Sequence, residues 1–358
     1  MRIGIVGAPS VGKTTVLCAL SHQPYDAALT AQASAKPRES IARLLDARLE
    51  NLRDHFKPKK YTPAALDFQD TLPVVLIGPE REKNRERLPA VKEADALLLV
   101  VAALEAGEPT AMLEAVKNQI AELRSEFLLA DLAIVEKRIE KLRVQVTKPT
   151  AYQAQDKKEL ALLERLRPVL EEGRPIADCP MSEEEKKLVR GFRFISEKPV
   201  QVALNVQESL VARGAELAAA LGEKEPVVPL SARLELELGQ FSDEERKAFM
   251  GDYGLERLAA PALIERCFRL LGLVHFFTVG EDEVRAWTIH QGDDALTAAG
   301  KIHTDLARGF IAAEVYSYAD WDAAHGNLKE IRAKGHLRTE GKQYPVQDGD
   351  IVNIRFNV

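Results

Sequence analysis

Eight residues near the start of the chain, Gly7-Ala-Pro-Ser-Val-Gly-Lys-Thr14, restrict its fold more than any other stretch. They match the spacing GxxxxGK followed by Ser or Thr. The glycines let backbone N–H groups turn inward around a phosphate, the lysine reaches the β and γ oxygens, and the Thr14 hydroxyl can hold Mg²⁺. Such a loop works between a strand and a helix N-terminus, whose partial positive charge favours the anion. Both flanks are present. Arg2–Val6 is a short apolar run with the pattern of a buried parallel strand, and a helix is expected from Lys13 to about Leu20. The nucleotide-binding positions expected from this loop are Ser10, Val11, Gly12, Lys13, Thr14 and Thr15.

Further apolar runs supply the sheet that the loop requires. Ala94–Leu104, Pro199–Val206 and Glu225–Ala232 read as central strands without a polar face, and helical stretches separate them. The pattern predicts an α/β fold built on a doubly wound parallel sheet. A helical insertion interrupts it. From Leu128 onward, Leu132, Val135, Ile139, Leu142 and Val146 step by three and four, the spacing of a helix with one apolar seam. A second helix over 154–171 repeats Leu160, Leu163, Leu166 and Leu170, with Pro168 expected to kink or shorten it. The two predict an antiparallel hairpin of coiled-coil type, and Ser182 with Glu185 forms a capping box for a further helix. The last ~85 residues read as a separate, mostly β module. Phe276–Val279 and Val284–Ile289 flank an acidic turn, followed by strands at Ala312–Tyr318 and Ile351–Val358.

The 358 residues suit two or three domains. A net charge of −6 argues against a broad basic face. Cys18, Cys179 and Cys267 are scattered and form no CxxC pair, as expected of thiols in a reducing compartment. No apolar run approaches the ~18 residues of a membrane span, and the apolar start is too short for a signal peptide. The expectation is a cytoplasmic protein with no membrane association. Seven scattered histidines form no HExxH or other metal spacing, and His303 reads as structural.

A phosphate-binding loop of this kind needs a second carboxylate at a neighbouring strand end to hold Mg²⁺. Ala65-Leu-Asp-Phe-Gln-Asp70 offers Asp67 and Asp70. Asp70 closes the run and is the expected partner of Thr14 in metal binding; surface roles for both carboxylates are the alternative. In switch-type NTPases the aspartate opens DxxG, whose glycine N–H contacts the γ-phosphate. Here the stretch is Asp70-Thr-Leu-Pro73, and proline has no N–H. No glutamine follows to orient water. Guanine readers use NKxD, but Pro199–Leu204 runs into Asn205-Val-Gln-Glu208. The longer Glu208 crowds the guanine contact, and Asn205 can pair with an adenine edge; a capping Asn at a strand end is the alternative. Ser231 and Ala232 lie where a backbone contact to the base is expected.

These motifs resemble the Obg-like ATPases of the YchF type, and the likeness runs over most of the chain. It includes the N-terminal loop, Lys57-Pro-Lys-Lys60, the stretch Ala130-Asp-Leu through Lys141-Leu142, and Asn205-Val-Gln-Glu208. At the C-terminus it includes Glu283–Ile289, Ala299–Asp305, Gly309-Phe-Ile311 and Gln347-Asp-Gly-Asp350. The resemblance implies a nucleotide-binding (G) domain over 1–125 and 196–272, a coiled-coil insertion over 126–195 and a TGS domain over 273–358. It also implies ATP preferred to GTP, Mg²⁺ as cofactor, and association with the ribosome. Phosphate roles carry over to Gly12, Lys13, Thr14 and Asp70, and base recognition to Asn205 and Glu208.

Departures from the family pattern predict weak or no intrinsic hydrolysis. The family's DxAG is replaced by Asp70-Thr-Leu-Pro73, the glycine-rich stretch after it is missing, and Ala103–Thr110 lacks the family's catalytic histidine. No catalytic residue is assigned. The first switch, about residues 24–45, lacks a recognisable threonine motif, with Thr30 its nearest candidate. An active ATPase or GTPase switch and a non-hydrolysing scaffold that docks through its helical and TGS parts remain the alternatives. Lys57–Lys60 reads first as a solvated loop, with phosphate or RNA contact the alternative. Lys329, Arg332, Lys334, Arg338 and Lys342 could meet ribosomal RNA phosphate, and a solvated basic face accounts for them equally well.

Overall fold

A computed structural model of the chain describes residues 1–23, 38–76, 78–104, 108–224 and 226–357. Thr30, most of the expected first switch, and residues 105–107 of the loop after Ala103 lie outside the described residues. Two units are present, one of residues 1–40 and 67–263, the other of residues 41–66 and 264–358. Among the described residues the strands are β1 (Arg2–Val6), β2 (Arg38–Arg43), β3 (Lys60–Thr62), β4 (Ala65–Asp70), β5 (Ala96–Ala103), β6 (Val200–Val206), β7 (Val228–Leu230), β8 (Leu273–Thr278), β9 (Glu283–His290), β10 (Phe310–Ser317), β11 (Arg338–Glu340) and β12 (Asp350–Phe356).

The first sheet has the order β2-β4-β1-β5-β6-β7. β1 is parallel to both β4 and β5, and β5, β6 and β7 continue in parallel. Ala96 to Val101 of β5 are fully buried, because both faces of a central parallel strand are covered. That is why the run shows no alternation of polar and apolar residues. All five parallel strands β4, β1, β5, β6 and β7 point their C-terminal ends to one edge, where ligands of such sheets bind.

The helical insertion starts earlier than the apolar seam indicates. One helix runs unbroken from Pro109 to Gln145. Its first half packs Val116, Ile120, Leu123 and Phe127 against the sheet core. Its second half packs Val135, Ile139 and Leu142 against Leu162, Leu163, Leu166 and Leu170 of the returning helix, Gln153–Glu171. Arg138–Glu159 and Arg143–Glu164 pairs flank this seam. Pro168 does not shorten the returning helix, which continues to Glu171. Lying in the last turn, it costs the helix only one internal hydrogen bond. Asp131 of the long helix accepts hydrogen bonds from the Ile195 and Ser196 N–H groups and so anchors the return into β6. The capping box at Ser182 and Glu185 forms as expected.

The second unit holds a sheet of order β11-β10-β12-β8-β9-β3. β8 and β9 form an antiparallel pair with Phe276 opposite Trp287. β12 is parallel to β8 and antiparallel to β10. One face packs Phe276, Ile289, Ala313, Val315 and Val352 against the helix Ala295–Ile302. β3, from the early part of the chain, adds in parallel to β9. Residues 41–66, counted with the nucleotide-binding domain in the sequence reading, thus belong to this second unit.

Candidate functional site

The loop Gly7–Thr14 leaves the end of β1 and turns into the helix Lys13–Ser21. Two glycines are needed for steric reasons. A Cβ on Gly7 would lie 2.4 Å from the Val100 carbonyl oxygen of β5. Gly12 has φ of 91°, and a Cβ there would lie 2.4 Å from the Asn205 amide nitrogen. Ser10 is exposed and also adopts a positive φ, 63°, which is unusual for a residue with a side chain. Val11 is buried, and Thr15 is half-buried in the first helical turn.

Lys13, Thr14 and Asp70 meet at the foot of this loop. The Thr14 hydroxyl donates to Asp70 Oδ2 at 2.5 Å. Asp70 ends β4 beside Ile5 of β1, so register alone sets it next to the loop. Its other oxygen, Oδ1, is buried and has no hydrogen-bond partner. Burial pushes the Asp70 carboxyl up, against the Thr14 hydrogen bond and the charges of Lys13 and Arg38. Lys13 is also buried, and its ammonium donates to the Ala8 carbonyl at 3.1 Å. Burial holds its pKa down, with Asp70 opposing. Asp67, the other candidate, is exposed and lies 3.8 Å from the N-terminal ammonium, away from Thr14.

A hydroxyl and a carboxylate with one unsatisfied oxygen form a hard donor set that fits Mg²⁺. Among the described residues no group of three or more His, Cys, Asp and Glu side chains converges on a metal position. A dication held by Thr14 and Asp70 would take most of its ligands from phosphate and water, the ordinary habit of Mg²⁺.

The expected base end is built around Asn205 at the end of β6. Its amide nitrogen donates to the Val11 carbonyl at 2.9 Å, and its Oδ1 accepts from the Ala232 N–H at 3.0 Å. The side chain thus ties the phosphate loop to the turn after β7, and it is buried, as are Ser231 and Ala232. One amide hydrogen and one oxygen lone pair are left for a base. Glu208 is half-buried, with Arg233 3.7 Å away.

The stretch after Asp70 is pinned. Thr71 N–H donates to the Ile5 carbonyl, Val74 N–H to the Gly7 carbonyl, and Val75 N–H to Asn84 Oδ1. Pro73 has no N–H to offer. Asn84 and its partner Glu126 escaped the sequence reading, because each sits in a charged stretch that reads as surface; both are buried. The basic groups proposed to meet RNA are partly neutralised. Lys59 and Lys60 pair with Asp282 and Glu283, and Lys334 pairs with Glu330.

Comparison with known proteins adds the family. Residues 2–138 match the family model described as 50S ribosome-binding GTPase, and residues 273–357 match the YchF-GTPase_C model, described as a protein of unknown function. The chain is 34% identical over 371 aligned positions to the ribosome-binding ATPase YchF of Bacillus subtilis, covering all of both chains. The chain belongs to the YchF family. It is 35% identical to the YchF protein of Escherichia coli O157:H7, covering 100% of this chain and 99% of the other. The structure of the Schizosaccharomyces pombe YchF GTPase superposes with a TM-score of 0.82 at 28% identity, covering 99% of this chain and 97% of that one. The YchF resemblance expected from the motifs is thereby shown, as is the P-loop α/β fold. Among the described residues no helix is long and apolar enough to cross a membrane.

Proposed function

We propose that this chain binds a nucleoside triphosphate with Mg²⁺ at Gly7–Thr14 and Asp70, prefers ATP to GTP, hydrolyses it weakly or not at all by itself, and acts on the ribosome. The observation that carries the phosphate part is the Thr14–Asp70 pair with its unsatisfied carboxylate oxygen beside a buried lysine. Thr14 and Asp70 would hold the dication, which supplies charge neutralisation for the phosphates. Lys13 exchanges the Ala8 carbonyl for phosphate oxygens, and the N-terminus of the helix Lys13–Ser21 faces the same anion.

Preference for adenine rests on Glu208 standing where a guanine reader has aspartate. Asn205 serves first as a bracket that holds Val11 and Ala232, and so sets the distance between phosphate loop and base. Weak hydrolysis is supported by the backbone of residues 71–75. Thr71, Val74 and Val75 have committed their N–H groups and Pro73 has none, which leaves few donors for a γ-phosphate. Ribosome association is supported by relatives named ribosome-binding ATPase.

The test is calorimetric titration of nucleotide-free protein with ATP and with GTP in the presence of Mg²⁺, alongside phosphate release. Tighter binding of ATP, lost in Lys13→Ala, is expected. Tighter GTP binding would remove the adenine assignment. Turnover near the ~10 s⁻¹ common among enzymes would remove the reading of a disabled switch.

A further inference from the structure

We propose that Asn84 is a positioning residue for the segment after Asp70, and that through Glu126 it couples this segment to the long helix Pro109–Gln145. The inference rests on the nucleotide-binding reading above. Asn84 lies at the start of a short helix, Asn84–Lys92, yet its side chain turns inward and is 3% exposed. Its Oδ1 accepts from the Val75 N–H at 3.0 Å, while its Nδ2 donates to the Val75 carbonyl at 2.8 Å. The amide therefore imitates a neighbouring strand and grips both polar groups of one residue. The same Nδ2 donates at 2.8 Å to Oε2 of Glu126, in the middle of the long helix. Arg81 Nε donates to the second oxygen of Glu126 at 2.5 Å.

A continuous bonded path results. Asp70 holds Thr14 at one end. Val74 is bonded to Gly7 of the phosphate loop, Val75 to Asn84, and Asn84 to Glu126. Val74, Asn84 and Glu126 are buried and Val75 is half-buried, so water has little access to take over a lost partner along the path. Beyond Glu126 the same helix forms one arm of the hairpin. Arg81, half-exposed, and Glu126 also line an open groove of about 930 Å³ with Leu88 and Leu129, so the outer end of the path reaches solvent. A nucleotide-dependent shift of Gly7 in the phosphate loop is passed by its bond with the Val74 N–H to Val75, and through Asn84 to the long helix.

The experiment is hydrogen exchange on the full chain with ATP·Mg²⁺, with ADP·Mg²⁺ and without nucleotide. It compares the wild type with Asn84→Ala, Glu126→Ala and Glu126→Gln, with ATP affinity measured on each by calorimetry. In the wild type, exchange of amides around Glu126 should differ between ATP and ADP by about fivefold, the lower range of ordinary coupling. Asn84→Ala and Glu126→Ala should lose that difference while protection of the phosphate loop by nucleotide persists. Glu126→Gln keeps an oxygen for Asn84 and should retain it, a rescue that general loosening of the fold does not predict. Wild-type ATP binding without a response at Glu126 would overturn the coupling and leave the nucleotide reading intact. A response in Asn84→Ala equal to that of the wild type would also overturn it. Absence of ATP binding to the wild type would remove both readings.

Discussion

Acidification from about pH 7 to about pH 4.5 should weaken the second unit through one buried side chain, His275 of β8. The ring is 3% exposed and stacks on Phe268 with centroids 4.0 Å apart. Neither ring nitrogen has a hydrogen-bond partner. Burial lowers its pKa from 6.5 to about 4, against the opposing charges of Asp348 and Asp46 and with help from Arg48. The unfolded chain takes up the proton near 6.5 and the folded chain only near 4. The stability tied to the neutral ring is therefore whole above about 6.5, falls with pH through that window, and falls no further below about 4. At about 1.4 kcal/mol per pKa unit, the full loss is about 3 kcal/mol. Both tryptophans of the chain, Trp287 and Trp321, lie in the second unit, so their fluorescence reports it selectively. Urea midpoints should fall on acidification in the wild type and fall much less in His275→Leu, which fills the site with an apolar side chain of similar size. Equal losses in the two proteins would refute the assignment, because the slope would then belong to other groups.

Three further outcomes are expected. Gly12→Ala sets a Cβ against Asn205 at a left-handed backbone position, and calorimetry should show nucleotide affinity reduced by about 100-fold or more, about 2.7 kcal/mol. Asn205→Asp keeps an acceptor for Ala232 but turns a carboxylate oxygen toward the Val11 carbonyl; ATP affinity should fall at least about tenfold and the thermal midpoint should drop. Leu163→Ala empties a fully buried position in the hairpin seam, costing about 2–4 kcal/mol in helical signal on denaturation, with ATP affinity unchanged.

The sequence is most informative where one residue type has one physical use. The phosphate loop, the buried run of β5 and the capping box at Ser182 each follow from local spacing, and the structure forms all three. Asp70 could be chosen over Asp67 because a strand end, not a strand middle, faces the loop. The start of the long helix was not legible. Its sheet-facing residues and its hairpin-facing residues lie on one unbroken helix, and the spacing of Val135, Ile139 and Leu142 reports only the second set. Asn84 was hidden because polar residues in a charged run read as solvated, and only the fold brings Val75 and Glu126 to either side of it. The pairing of Lys59 and Lys60 with the acidic turn was hidden for the same reason, since the partners lie more than two hundred residues away.

The addition of β3 to β9 bears on how this protein is made. Thr62 bonds Glu283, 221 residues later in the chain. At ~5–20 residues per second of synthesis, residues 41–66 wait roughly 10–40 s for the strand that receives them. Throughout that interval the helix Ala47–Phe56 carries Leu49, Leu52 and Phe56 with no second sheet to cover them. A nascent chain stalled between residues 66 and 273 should therefore be a preferred client of chaperones that hold exposed apolar helices. A fragment cut at residue 273 keeps residues 41–66 but lacks β9, and should prove far less soluble than the full chain.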